Sequence, residues 1–269
     1  MKNPVVEVRG LRIGEGIPKI CVPVLGRTEA EVLSSLKQAL LASPDLIEWR
    51  VDHFQEFLNR DAVEHTLNAL RAAMEKLPLL FTFRTKQEGG AASVSVEDYM
   101  QLNIHAAESG LVDLIDLELF LCEKQMGELI PRIQRLGAKV ILSNHDFEKT
   151  PAKEELIRRL CSMQDAGADL AKIAVMPQSS KDVLTLLEAS LEMQDCHTKT
   201  PVITMSMSPV GAVSRLCGET FGSAVTFGSA GQDSAPGQLP AEELRKILLL
   251  LHTGGNYVRK EGGLKCIFF

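Results

Sequence analysis

Short apolar runs and amphipathic stretches alternate along this chain with a regular beat. Residues 5–13 alternate around Gly10 and predict a small hairpin. After Pro18, apolar runs recur at 20–25, 46–53, 78–85, 111–119, 138–145, 168–177, 201–207 and 224–228. Each is too short for a buried helix and is bounded by turn residues, which predicts strands. Between them, 29–42, 57–76, 96–109, 122–136, 153–166, 180–193 and 241–252 space their apolar residues by three and four and predict helices, with a short one near 211–216. Gly167 stands where a helix over 153–166 would end. In 180–193 the expected buried residues are Val183, Leu184, Leu187 and Leu191.

Eight strand–helix units with no evident linker predict an α/β fold, a (β/α)8 TIM barrel with an N-terminal β-hairpin. Residues 1–253 would be a single catalytic domain and 254–269 a C-terminal tail. An open doubly wound sheet is the competing arrangement. It usually has fewer strands and a phosphate-binding first turn, whereas the first turn here, Leu25-Gly26-Arg27, has no G-x-G-x-x-G.

The sixth predicted strand is interrupted by a charge, Lys172. A buried ammonium must be paired or give up its proton, and a neutral amine is a nucleophile suited to a Schiff base with a ketone. A structural ion pair would explain Lys172 alone, but its neighbours carry charge too. Strand residues alternate between faces, and in a barrel catalytic groups gather at the C-terminal strand ends. This parity puts Glu48 with Arg50, Thr82 with Arg84, Asp116 with Glu118, Ser143 with His145, and Lys172 with Ala174 and Met176, while the seventh strand adds Met205 and Met207. Five consecutive strands with ionisable groups late in apolar runs predict a functional cluster. Its signs nearly cancel, which suits an oxygen-rich substrate with an anionic group.

The loops extend the cluster. Glu88 follows the third strand beside Gly89 and Gly90, Arg215 follows the seventh, and 228–238 is rich in small residues with Ser234 and Gln238 as polar tips. A loop after a barrel strand is a natural lid. No pair of histidines has metal-ligand spacing, so no metal is expected.

Composition narrows the class. The 269 residues are 45% hydrophobic and 24% charged, ordinary for a globular chain. A net charge of −6 offers no footprint for nucleic acid or an anionic membrane, and no apolar run is long enough for a membrane helix. The six cysteines are scattered without C-x-x-C, which fits reduced thiols and a cytoplasmic protein. The terminal Cys266-Ile-Phe-Phe269 formally fits a prenylation box, but without a polybasic segment it reads as chance.

Several stretches, in order and spacing, resemble the type I 3-dehydroquinate dehydratases of the shikimate pathway. They are Ile47-Glu-Trp-Arg-Val-Asp52, Phe81-Thr-Phe-Arg-Thr85 with Glu88-Gly-Gly90, Asp116-Leu-Glu-Leu119, Ser143-Asn-His-Asp-Phe147, Lys172-Ile-Ala-Val-Met-Pro177, the Arg215 segment and 229–238. The resemblance implies a lyase that dehydrates 3-dehydroquinate through a covalent imine, with no cofactor, and a homodimer. It implies Lys172 as the Schiff-base residue, His145 as general acid and base, and Glu88 as the carboxylate orienting that histidine. Glu48, Arg50, Arg84, Met205, Arg215, Ser234 and Gln238 would bind substrate. One departure is Val22-Pro23, where many members have a serine, which puts one substrate hydroxyl contact in question. Two other readings compete: a class I aldolase, favoured by competition from free phosphate, and a silent barrel serving as a partner-binding subunit, favoured by absence of turnover.

Overall fold

The structure is a computed structural model that describes residues 4–121, 123–231 and 234–260, with 255–260 as backbone alone. The predicted hairpin is present as β1 (Val6–Val8) and β2 (Leu11–Ile13), joined by a turn in which Arg9 and Gly10 both have positive φ, 49° and 81°. That is the turn geometry matching the right-handed twist of two short strands.

Eight parallel strands then wind into the barrel: β3 (Lys19–Val24), β4 (Leu46–Arg50), β5 (Leu79–Thr82), β6 (Leu114–Glu118), β7 (Lys139–Asp146), β8 (Leu170–Val175), β9 (Val202–Ser206) and β10 (Val225–Ser229). Hydrogen-bonded order runs β10-β3-β4-β5-β6-β7-β8-β9, and a two-residue β11 (Leu239–Pro240) adds to β10. The seam between β9 and β10 is joined at its base, where Ala224 N donates to Val202 O at 2.8 Å. Around the strands lie α1 (Glu29–Leu41), α2 (Arg60–Met74), α3 (Val96–Glu108), α4 (Met126–Arg135), α5 (Lys153–Asp165), α6 (Ser180–Glu192), the single turn α7 (Gly218–Phe221) and α8 (Ala241–Lys260). Their N-termini are set by the expected chemistry: Thr28, Asn59 and Ser95 cap α1, α2 and α3 by accepting backbone N–H bonds.

The α/β fold is therefore the barrel that the alternation predicts. Three local readings are revised. On α6 the buried face is Val183, Leu186, Leu187 and Ser190, one i, i+3, i+4, i+7 stripe, whereas Leu184 (65%) and Leu191 (37%) are exposed. Both leucines lie seven residues apart on one stripe, but that stripe is rotated away from the strands. Helix α8 continues past 252 to Lys260. The element near 211–216 is a 3-10 helix over Pro209–Arg215. Cys266 and its neighbours lie outside the described residues.

Two apolar zones support the barrel. The larger lies between strands and helices, with Trp49, Phe81, Phe83 and Tyr99 stacked edge to face. The second plugs the N-terminal end of the barrel: Cys21, Leu46, Leu80, Leu114, Ile141 and Leu170 point inward against Val8 and Ile13 of the hairpin. Among the described residues this plug closes the barrel below, and the cleft opens at the C-terminal strand ends. No described helix is long and apolar enough to cross a membrane.

Candidate active site

The cleft is lined by Glu48, Arg50, Arg84, Glu88, His145, Lys172, Met205, Arg215, Ser234 and Gln238, together with Gly89, Phe147, Ala174, Met207, Phe227 and Ala235. Every catalytic or substrate-binding residue that the family resemblance implies faces this one space, while Thr82, Asp116, Glu118, Ser143 and Met176 of the predicted cluster do not line it. Strand alternation explains the first group: Glu48 and Arg50 on β4, His145 on β7, Lys172 on β8 and Met205 on β9 are inward positions near the strand ends.

Lys172 is 3% exposed, and its ammonium is paired. Its Nζ lies 3.1 Å from Asp116 Oδ2 and 4.0 Å from Glu48 Oε1, and 4.4 Å from the centre of the Phe227 ring. Below it, Arg84 forms the hub of the site. The guanidinium reaches Asp116 Oδ1 at 2.7 Å, Ser143 Oγ at 3.0 Å, Glu118 Oε1 at 3.1 Å and Glu88 Oε2 at 3.3 Å. Burial pulls Arg84 down, but Asp116, Glu118 and Glu88 outweigh it and hold the guanidinium well above its ordinary value. Burial likewise opposes ionisation of Asp116, yet Arg84 and Lys172 overcome it and bring the carboxyl down to about 2. Asp116 is thus a fixed negative charge shared by two cations.

Glu88 comes from a 3-10 turn over Lys86–Glu88, folded back onto β7 by two glycines. Gly89 has φ 81°, and a Cβ there would meet the Phe147 ring at 2.3 Å; a Cβ on Gly90 would meet Arg84 O at 1.8 Å. So placed, Glu88 Oε2 accepts the backbone N–H of His145 at 2.9 Å and lies 2.9 Å from His145 Nδ1. Nε2 is then the nitrogen left for the cleft. Burial, then the cations Arg84, Lys172 and Arg50, push His145 well below its ordinary value. Burial, with Glu118 and Asp116, raises Glu88 to about 7 against the pull of Arg84 and Asn144. At neutral pH the imidazole is a neutral base whose carboxylate partner titrates nearby.

Arg50 is locked by Asp52, which accepts from Nε and Nη2 at 2.8 Å each. Asp52 also accepts the N–H of Ala91 at 2.9 Å, so it ties the second strand end to the Glu88 loop. Arg215 is 2% exposed on its 3-10 helix, where Gly211 packs against Ser206. It donates to Pro236 O at 3.2 Å, holding residues 234–238 against the cleft. Within that segment Gln238 Oε1 accepts Ser234 N at 2.8 Å and Nε2 donates to Ser234 Oγ at 3.0 Å. Of the other histidines, His53 sits beside Asp52 at 3.6 Å and lines a separate depression. His65, His197 and His252 pair with surface glutamates.

Sequence reasoning left out Asp52, Phe227 and Asn144 as contributors. Phe227 has a signal, since it is the inward position of the eighth strand. Asp52 has a weak one, its i, i+2 spacing from Arg50, and Asn144 has none, because Glu88 and Arg159 reach it from other elements.

The family profile described as type I 3-dehydroquinase matches residues 20–254. A 3-dehydroquinate dehydratase of Clostridioides difficile (strain 630) is 51% identical, with 93% of this chain and 98% of that protein aligned. One from Klebsiella pneumoniae (strain 342) is 52% identical over 91% of this chain and 98% of the relative. The crystal structure of a type I 3-dehydroquinate dehydratase from Clostridium difficile with covalent modified comenic acid superposes with a TM-score of 0.90, at 50% identity, covering 93% of this chain and 98% of that one. With a profile spanning most of the chain and relatives at half identity, this chain belongs to the type I 3-dehydroquinase family.

Proposed function

We propose that this chain is a carbon–oxygen lyase that dehydrates 3-dehydroquinate to 3-dehydroshikimate, a shikimate-pathway step, through an imine on Lys172. The observation that carries the reading is a buried lysine amine sharing one closed-bottomed cleft with a His145–Glu88 pair. In this scheme Lys172, freed of its extra proton, attacks the ring ketone, and loss of water leaves a protonated imine. The iminium withdraws electrons from the adjacent C–H bond. His145 Nε2 takes that proton, the C–H electrons form the new double bond, and the ring hydroxyl on the next carbon departs with a proton returned by His145. Water then hydrolyses the product imine and releases the lysine. The net change is loss of one water.

The remaining side chains fit supporting roles. Asp116 and Glu48 stand beside Lys172 Nζ, the position where the iminium charge forms, and Phe227 offers its ring face to the same cation. Arg215, with Ser234 and Gln238, would receive the substrate carboxylate, and Glu48, Arg50 and Arg84 its hydroxyls. Met205 would pack on the ring. Pro23 pairs with Glu48 in the β3–β4 ladder and supplies no hydroxyl to this layer.

Borohydride reduction in the presence of 3-dehydroquinate tests the covalent step. One ligand-sized mass should appear on the peptide containing Lys172. Labelling of Lys86 or another lysine, with Lys172 unmodified, would remove it from the mechanism.

A further inference from the structure

Behind the cleft, a line of polar side chains runs from the outer face of α5 to the carboxylate of Glu88. Asn144 lies on β7 between Ser143 and His145. Its neighbours point inward, so strand alternation sends its own side chain out toward α5. It is 5% exposed, and its amide is used at both ends. Oδ1 accepts from Arg159 Nη1 at 2.7 Å, and Nδ2 donates to Glu88 Oε1 at 3.1 Å. Arg159 is itself fixed: its Nε donates to Glu155 Oε1 at 2.7 Å, and its guanidinium carbon lies 5.5 Å from the centre of the Phe120 ring. Glu155 is further held by Arg158, at 2.7 and 2.8 Å. Neither Asn144 nor Arg159 lines the cleft.

A primary amide can face a carboxylate in two ways. Turned one way it donates; turned the other, it presents an oxygen and repels. Arg159 is a donor only, so it forces the Asn144 oxygen toward itself and the NH₂ toward Glu88. With Oε1 anchored there, Oε2 stays aimed at the backbone N–H and Nδ1 of His145.

We infer that Asn144 and Arg159 are positioning residues, a relay in which Arg159 sets the Asn144 amide and Asn144 holds Glu88 ionised and aligned on His145. The inference rests on Glu88 and His145 being the proton-transfer pair of the proposed reaction. The charged groups facing Glu88 are Arg84, which favours its ionisation, and Glu118 and Asp116, which oppose it, with His145 at its free edge. The Asn144 donor acts on the side of ionisation. Removing it moves Glu88 further up, so a larger share of the enzyme at neutral pH holds a protonated, misaligned Glu88.

Measuring kcat and KM for 3-dehydroquinate against pH in Arg159→Met, Arg159→Lys and Asn144→Asp tests the relay. Arg159→Met should move the acid limb of kcat up by about one pH unit and lower kcat at pH 7 by about fivefold, the ionised share of Glu88 falling from about a half to about a tenth. KM should change little, and raising the pH should restore part of kcat. Arg159→Lys, which keeps a donor, should lie between it and wild type. Asn144→Asp sets a like charge against Glu88 and should move the limb furthest. A pH-independent drop in kcat, or a lowered Tm with an unmoved acid limb, would mean that the two residues only support the fold. Should Asn144→Asp fail to fold, the two Arg159 variants decide alone. His145→Ala measured alongside separates the two ideas. If it loses turnover while the Arg159 variants keep the wild-type limb, the relay alone is wrong; if His145→Ala turns over normally, the underlying reading is wrong.

Discussion

Both ends of this barrel carry carboxylates, partly buried at the N-terminal end and buried at the C-terminal end, and they use them differently. At the N-terminal end Asp45, Asp113 and Asp169 each accept the N–H of a residue in a neighbouring strand: Ile20 at 2.7 Å, Leu79 at 2.8 Å and Val140 at 2.9 Å. Each is also paired with cations: Asp45 with Arg245 at 3.0 Å, Asp113 with Arg71 at 2.7 Å and Arg9 at 2.6 Å, and Asp169 with Lys139 at 3.1 Å. The space between them is filled by the apolar plug beneath the hairpin. At the C-terminal end Glu48, Asp116, Glu118 and Glu88 instead converge on Arg84 and Lys172 around an open cleft. A paired carboxylate partly withdrawn from water therefore does not by itself mark a site. Carboxylates that each tie down a neighbouring strand start close the fold, whereas carboxylates that converge on one shared cation around a cavity suit chemistry.

That contrast should break most visibly at His145. Replacing it with alanine should lower turnover by about 10²–10⁴-fold, the usual scale of acid–base catalysis, while borohydride still traps the imine. Near-normal turnover would take His145 out of the scheme. A smaller effect is expected at the mouth. Gln238→Ala should raise KM by about tenfold, the scale of a hydrogen bond to a charged group, and leave Tm unchanged because its partner Ser234 belongs to the same loop. A fall in Tm with unchanged KM would make Gln238 a fold residue.

The lower end should respond in the opposite sense. Asp113→Ala strips a carboxylate from Arg71, Arg9 and the Leu79 N–H, and should cost about 1–3 kcal/mol in urea unfolding with kcat unchanged. Loss of kcat without loss of stability would erase the distinction between the two ends.

The subtlest test is the pH dependence of stability. Glu88 is raised from 4.5 to about 7 in the folded chain, by burial first, so between these values the folded state holds a proton that the unfolded state has released. Stability from this group is full below the unfolded value and is lost as pH rises through about 7. Glu88→Gln cannot ionise. The stability of wild type relative to this variant should therefore fall from pH 5 to pH 8 in paired denaturant titrations. A constant difference would show that Glu88 is already ionised at the lower pH.

Local spacing determined much of this protein. The alternation of apolar runs prescribes strands and helices, and the two-residue period of a strand puts Glu48, Arg50, Asp116, Glu118, His145 and Lys172 on the inner face without reference to any other part of the chain. The glycine pair beside Glu88 and the three glycines of 228–238 similarly mark where backbone must turn or pack closely. What the sequence left open is which charge meets which. Asp116 and Glu118 sit on one face of one strand, yet Asp116 pairs with both Lys172 and Arg84, while Glu118 pairs with Arg84 and Thr85. The relay from Arg159 through Asn144 joins a helix, a strand and a loop whose spacing in sequence predicts no contact. The outward rotation of Leu184 and Leu191 likewise depends on how α6 is set against the barrel. Side-chain direction along a strand or helix is a local property of the backbone. Pairing across elements depends on the stagger and closure of eight strands, a long-range geometry that exists only once the chain has folded.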